Sequence, residues 1–229
     1  HKAFTEIFQH KVDFADLYFQ HSVIEGWSLD EGIVKSGSYN IEQGVGVRAV
    51  SGEKTAFAYS DDIGMKPILQ ASKSVREIAA LGLTANRKLK SGKGFTNNLG
   101  LNLYQPLNPI PSLDSTQKVD LLKRLEQFAR KRDKRVKQVM ANIVGAYDVV
   151  LVARSDGVMA ADVRPLVRVN VSVVVESKGR RETGSAGGGG RTDYSHFTDE
   201  VPVLLINGQQ VSFWRIDQER VFAKLEELA

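Results

Sequence analysis

Two short apolar runs joined by a Ser-Gly pair constrain the fold of this chain more than any other feature. They occupy residues 44–62, with the sequence GVGVRAVSGEKTAFAYSDD. Side chains alternate with period two on both sides of Ser51 and Gly52, which is typical of a β-hairpin. Four small residues are expected to leave one face of this hairpin open to close packing by a helix or another backbone: Gly44, Gly46, Ala56 and Ala58.

In the rest of the chain, some segments have apolar residues that alternate as in β-strands, and others have apolar residues at helical spacing. Extended patterns cover 16–29, 33–41, 147–153, 158–163, 167–175 and 180–185, and helical stripes cover 63–83 and 114–132. Ser36-Gly37-Ser38 and Pro165 are interpreted as interruptions between strands. At the second helix, Asp114 and Gln117 have the spacing of a capping box. The order of these segments predicts an α+β fold, a mostly antiparallel sheet with two main helices packed on one face.

Composition excludes several classes of function. The chain has 229 residues, 42% of them hydrophobic, which is enough to bury a sizeable core. It contains no cysteine, so disulfides, thiolate chemistry and Cys-ligated metals are excluded within these residues. Its net charge of +4 arises from 31 basic and 27 acidic residues that are interspersed, which disfavours a nucleic-acid surface. No apolar run is long enough to span a membrane.

Few residues form a pattern that is typical of a catalytic, metal-binding or phosphate-binding site. The four histidines have no metal-binding spacing, so we assign no catalytic and no metal-binding residue. The glycine-rich run SAGGGGR at 185–191 lacks the spacing of a phosphate-binding loop. It is interpreted as a hinge or as a place where two backbones approach closely. Candidate contacts with substrate or partner are five residues of the sheet, although solvated or salt-bridged arginines are the competing interpretation: Arg48, Tyr59, Arg164, Arg168 and Arg191.

Several ordered blocks resemble one known family, the TldD/PmbA family. These blocks are DLYFQ at 16–20, WSLDEGIVK at 27–35, the hairpin at 44–62, ADVRPLVRVNVSV at 161–173 and SAGGGGRTDY at 185–194. The resemblance covers residues 1–200, and the ADVRPL and GGGGR blocks favour the TldD branch. It implies a cytoplasmic zinc metallopeptidase that acts on unfolded peptides as a heterodimer with a TldE/PmbA-like partner subunit. The family has also been described as a modulator of DNA gyrase.

The resemblance also implies what this chain should lack. Family members hold zinc in a C-terminal domain through H-E-x-x-x-H and a distant cysteine, and neither occurs here. We therefore expect no cofactor in this chain and no activity in isolation. We expect two parts, a family-type N-terminal α+β domain over residues 1–195 and a strand-hairpin-helix tail over 196–229 that does not match the family. A truncated or frame-shifted gene, a fusion and a gap near residue 200 all remain open as explanations.

Two functions remain open at this point. The first is the substrate-admitting and subunit-contacting part of a TldD-like peptidase, in which a sheet edge holds an extended peptide. The second is a stand-alone interaction domain that modulates DNA gyrase or nucleic acid through the basic loop of Lys88, Lys90 and Lys93.

Overall fold

The structure is a computed structural model, and it describes residues 1–80, 96–97, 105–194, 203–206 and 209–210. The helices are α1 (Lys2–Ile7), α2 (Met65–Ala80) and α3 (Ser115–Arg132), with one 3-10 turn at Ile110–Ser112. The strands are β1 (Phe14–Asp30), β2 (Ile33–Ser51), β3 (Lys54–Ser60), β4 (Thr96–Asn97), β5 (Val136–Arg154), β6 (Val158–Ser177), β7 (Arg180–Gly190), β8 (Val203–Ile206) and β9 (Gln209–Gln210).

The strands are hydrogen-bonded in the order β3-β2-β1-β5-β6-β7-β8-β9, and β4 pairs with β6. The β2–β3, β6–β7, β7–β8 and β8–β9 pairs are antiparallel, while the short β4–β6 pair is parallel. The α+β prediction with a mostly antiparallel sheet is therefore confirmed. No helix among the described residues is long and apolar enough to cross a membrane.

The chain divides into two compact units. Unit 1 comprises residues 1–23, 41–103 and 148–164, and unit 2 comprises residues 24–40, 104–147 and 165–229. Four long strands, β1, β2, β5 and β6, contribute residues to both units. Each unit has its own hydrophobic core.

Unit 1 is built around the hairpin of β2 and β3. Alternate residues of β2 point to one side, where they form a core with the helices α1 and α2: Val45, Val47 and Ala49. These residues are at most 2% exposed. The predicted hairpin is confirmed, and Gly52 takes a φ of +60° in its turn, a value that favours glycine.

The expectation that the hairpin's small residues share one face is wrong. Ala56 and Ala58 pair with Ala49 and Val47 and face the core. Gly44 and Gly46 lie on the other side of the strand, because neighbouring residues in a strand point to opposite faces. A Cβ added at Gly46 would lie 3.0 Å from the ring of Phe57, so an aromatic side chain of the hairpin itself covers this glycine.

Unit 2 is built around α3. Asp114 accepts a hydrogen bond from the Gln117 backbone at 2.8 Å, and the Gln117 side chain accepts one from the Asp114 backbone, so the predicted capping box is confirmed. The apolar side of α3 packs against the strands in a core of ten buried residues: Leu29, Leu113, Leu121, Leu122, Leu125, Ala141, Ile143, Val167, Val169 and Tyr194.

Three expected interruptions do not occur. β2 runs without a break through Ser36-Gly37-Ser38, and β6 runs through Pro165. The glycine-rich run is neither a loop nor a hinge, because β7 extends to Gly190 and pairs with β6 along its whole length. The expected close backbone approach is present there: a Cβ added at Gly189 would lie 2.2 Å from the Val167 carbonyl oxygen.

Candidate functional site

An open groove lies on the face of unit 1 that points away from its core. It has a volume of about 400 Å³. Gly44 and Gly46 line it from β2, and Tyr59 lines it from β3. Since Gly46 pairs with Tyr59, the side chain of Tyr59 stands on the same face as the two glycines, where it is 79% exposed.

β1 supplies an ordered row of polar side chains to the same groove. The Tyr18 hydroxyl donates to the Gln20 side-chain oxygen at 3.0 Å, and the Gln20 amide nitrogen donates to the Ser22 hydroxyl at 2.8 Å. All three residues line the groove, and Ser22 is only 3% exposed. These hydrogen bonds fix the positions of the polar groups relative to one another.

The sequence-predicted residues of unit 1 are Arg48, Tyr59 and Arg164. The Arg48 guanidinium forms an ion pair with Asp16, with Nε 3.1 Å from the carboxylate, and this hydrogen bond raises the pKa of Arg48. Arg164 forms an ion pair with Asp162 at 2.8 Å. Of the three, only Tyr59 lines the groove. Their roles in binding stay predictions.

The sequence-predicted residues of unit 2 are Arg168 and Arg191. Arg168 donates to the Asn170 side chain at 3.0 Å, and Arg191 donates to the carbonyl oxygen of Pro165 at 3.4 Å. Both guanidinium groups therefore bond to groups of the sheet itself. Their predicted contact with a substrate or partner stays a prediction.

Unit 2 contains a buried charged cluster that sequence reasoning missed. Lys118 of α3 forms an ion pair with Glu25 of β1 at 2.5 Å, with side-chain exposures of 3% and 9%. Its ammonium group also donates to the Ile110 carbonyl at 2.6 Å, and the Trp27 indole donates to Glu25 at 2.7 Å. Lys118 lies 5.6 Å from the centre of the Tyr194 ring, and burial raises the pKa of Tyr194.

This cluster is best explained as a structural ion pair. Lys118 donates two hydrogen bonds and Glu25 accepts two, and both side chains are at most 9% exposed, which leaves little access for a reactant. Paired and hydrogen-bonded charges are the form in which buried charges normally occur. Lys118 could have been placed on the apolar face of α3, since it precedes Leu121 and Leu122 by three and four residues.

A second accessible feature of unit 2 is the edge formed by residues 33–40 of β2. All eight residues are exposed, including Ile33 at 60% and Tyr39 at 58%. One side of β2 is hydrogen-bonded to β1, and the register of β2 with β3 covers only Val45–Ser51. Among the described residues, no strand pairs with the other side of residues 33–40. The basic loop of Lys88, Lys90 and Lys93 lies outside the described residues.

No described group of three or more His, Cys, Asp or Glu side chains could hold a metal ion. The described donor set therefore does not fit the zinc that the family resemblance implies, and we derive no chemical step through zinc in this chain.

Comparison with known proteins identifies two family models along the chain. Residues 15–80 match the model described as PmbA/TldA metallopeptidase domain 1, and residues 108–220 match the PmbA/TldA metallopeptidase central domain. The second match continues to residue 220, so the expectation that the resemblance ends before residue 201 is wrong. The strand β8 in this region also pairs with β7 of the preceding segment.

Curated relatives agree with these matches. The chain is 41% identical over 212 residues to a metalloprotease TldD homolog of Buchnera aphidicola, a match that covers 93% of this chain and 42% of the relative. It is 44% identical over 197 residues to a metalloprotease TldD homolog of Haemophilus influenzae, with coverage of 86% and 40%. The chain thus spans less than half the length of these relatives.

Solved structures share the fold at low sequence identity. TldE from Thermococcus kodakarensis matches with a TM-score of 0.64 and 12% identity, over 83% of this chain and 43% of that one. A Thermotoga maritima protein described as a proposed modulator of a DNA gyrase matches with a TM-score of 0.65 and 12% identity, over 85% and 43%. At this identity the likeness concerns the fold alone.

Proposed function

The chain belongs to the PmbA/TldD metallopeptidase family, and from this premise we propose that it is the N-terminal part of a TldD-like subunit. In this role it admits unfolded peptides and contacts a TldE/PmbA-like partner subunit, and the peptidase chemistry belongs to the longer protein. The names of the TldD relatives and of the TldE structure support the assignment. The proposal includes the cytoplasmic location that the resemblance implies.

The observation that carries the proposal is the side of residues 33–40 in β2 with which no strand in the described part of the chain pairs. An unpaired strand presents a row of backbone N–H and C=O groups that an extended chain can bind by adding a strand. Backbone pairing needs no particular sequence, which suits unfolded peptides. The exposed side chains of Ile33 and Tyr39 add apolar contact surface on this strand.

A peptide-binding measurement tests this function. We expect Ile33→Lys/Tyr39→Lys to weaken binding of a labelled unstructured dodecapeptide at least fivefold in fluorescence anisotropy, because charged side chains on an edge oppose strand addition. Phe128→Lys, which changes an exposed apolar residue on α3, is the matched control and should leave the affinity unchanged. Methylation of alternate peptide nitrogens should weaken binding similarly.

Equal affinity of the edge variant and the wild-type protein would contradict the role in peptide binding. The subunit-contacting role is tested separately by co-expression with a TldE-like chain and affinity purification. Loss of the complex in the edge variant would assign the edge to the partner subunit, and a DNA-dependent mobility shift without a complex would favour the nucleic-acid alternative.

A further inference from the structure

The groove of unit 1 carries a net negative charge. Glu42 and Asp61 line it, and no Lys, Arg or His does. Both carboxylates are exposed, and neither forms an ion pair with a described residue. Arg48, on the same face of β2 as Gly46, is paired with Asp16. A ligand with positive charge would therefore find uncompensated carboxylates here.

The remaining groups of the groove suit a hydrogen-bond donor with an extended apolar stem. The Tyr18 oxygen retains a lone pair that can accept a further hydrogen bond. The Tyr59 ring is almost fully exposed and offers an aromatic face to a cation. The volume of about 400 Å³ exceeds the minimum for a small-molecule pocket, about 300 Å³.

We propose that this groove binds the side chain of an arginine or lysine in an extended peptide. Glu42 and Asp61 neutralise the cationic head, Tyr59 contacts it through its ring, and the aliphatic stem lies along the groove. The proposal rests on the function proposed above, and it narrows the substrates to unfolded segments that carry basic residues. Phosphate-bearing ligands are disfavoured because the two carboxylates would repel them.

The test compares two peptides that differ in one group. One carries a central arginine, and the other carries citrulline, which has nearly the same shape without the charge. We expect the wild-type protein to bind the arginine peptide about five- to twentyfold more tightly, and each of Glu42→Gln and Asp61→Asn to reduce this ratio about two- to fivefold. Glu53→Gln removes the same charge in the turn of the hairpin, outside the groove, and should leave the ratio unchanged.

Two further measurements make the result specific. Tyr59→Ala should lower the arginine-to-citrulline ratio, whereas Tyr59→Phe, which keeps the ring, should preserve it. N-acetyl-arginine amide should shift NMR signals of Gly44 and Gly46 in the wild-type protein and not in Glu42→Gln/Asp61→Asn. This blocked amino acid is too short to add a strand, so it reports on the groove even if peptides fail to bind at the edge.

The outcomes separate the two proposals. If the edge variant binds the arginine and citrulline peptides more weakly by the same factor, so that the ratio of the two affinities is unchanged, both proposals stand. If the blocked arginine binds but no peptide responds to the edge variant, the groove stands and the edge function fails. Equal binding of both peptides by the wild-type protein, or a ratio unaffected by Glu42→Gln/Asp61→Asn, would overturn the groove proposal.

Discussion

Lys118 shows how far a single residue can be predicted from sequence. Its spacing to Leu121 and Leu122 places it on the buried side of α3, and the structure leaves its side chain 3% exposed. The partner Glu25 lies 93 residues away in the chain, and no local pattern connects the two positions. The helical spacing could therefore have indicated that Lys118 is buried. Its pairing with Glu25 depends on tertiary contacts, which the spacing does not reveal.

The buried ion pair should be sensitive to loss of one partner. Lys118→Met leaves the Glu25 carboxylate buried without a counter-charge, so we expect the free energy of unfolding to fall by about 3–5 kcal/mol. Urea denaturation followed by circular dichroism measures this change. Lys118→Met/Glu25→Gln removes both charges and should recover much of the loss; a double variant less stable than the single one would contradict this account.

Tyr194 should make stability depend on alkaline pH. Burial, and then the charge of Glu25, raise its pKa above the ordinary value of 10.0, so the folded state keeps a proton that the unfolded state loses. The associated stability is complete below pH 10 and declines as the pH rises further. We expect Tyr194→Phe to lose less unfolding free energy than the wild-type protein between pH 9 and pH 11, while Tyr59→Phe, at an exposed position, should follow the wild-type protein.

At the scale of elements, turns were predicted more reliably than strand lengths. Gly32, Gly52, Gly157 and Gly179 all take positive φ in turns that lie between strands predicted from the sequence. Such turns are local, because only a few dihedral angles decide them. By contrast, β6 has 20 residues and continues through Pro165. Its continuity depends on hydrogen bonds to neighbouring strands, which the local sequence does not reveal.

The glycine-rich part of β7 illustrates the same limit. Its composition allowed a hinge or a close approach of two backbones, and pairing with β6 selects the second. Gly187 and Gly189 lie opposite Asn170 and Arg168, where added side chains would meet atoms of β6 at 2.4 Å and 2.2 Å. Close approach of the two strands explains these glycines without any bound phosphate.

Two alanine substitutions in β7 test this explanation. Gly189→Ala brings Cβ against the Val167 carbonyl, so the backbone must shift, and we expect a loss of about 1–3 kcal/mol in unfolding free energy. Gly184→Ala is the matched control in the same strand, since its Cβ would lie 3.6 Å from Val173, an ordinary contact. Thermal unfolding should separate the two variants, and equal stabilities would refute the close-packing explanation.

At the scale of the whole molecule, domain boundaries placed along the sequence do not match the way in which this chain is divided into compact units. Each compact unit is assembled from three separate segments, and four strands carry residues of both units. A reading along the sequence cannot detect such an arrangement, because it depends on contacts between distant segments. The boundary placed at residue 195 stays a prediction, although β8 pairs with β7 on the other side of it.

At this scale we also expect peptidase activity to require more than these 229 residues. A zinc peptidase needs about three protein ligands and a position for water, whereas this chain has four dispersed histidines and no cysteine. We therefore expect the isolated chain to bind less than one equivalent of zinc and to leave an unfolded peptide intact. Elemental analysis by mass spectrometry and a chromatographic cleavage assay measure both properties. The matched control is a TldD-length protein co-expressed with a TldE-like subunit, which should cleave the peptide and lose this activity when a chelator is added. If the isolated chain instead bound one equivalent of zinc and showed chelator-sensitive cleavage, a metal centre would lie within these residues and our expectation would be wrong.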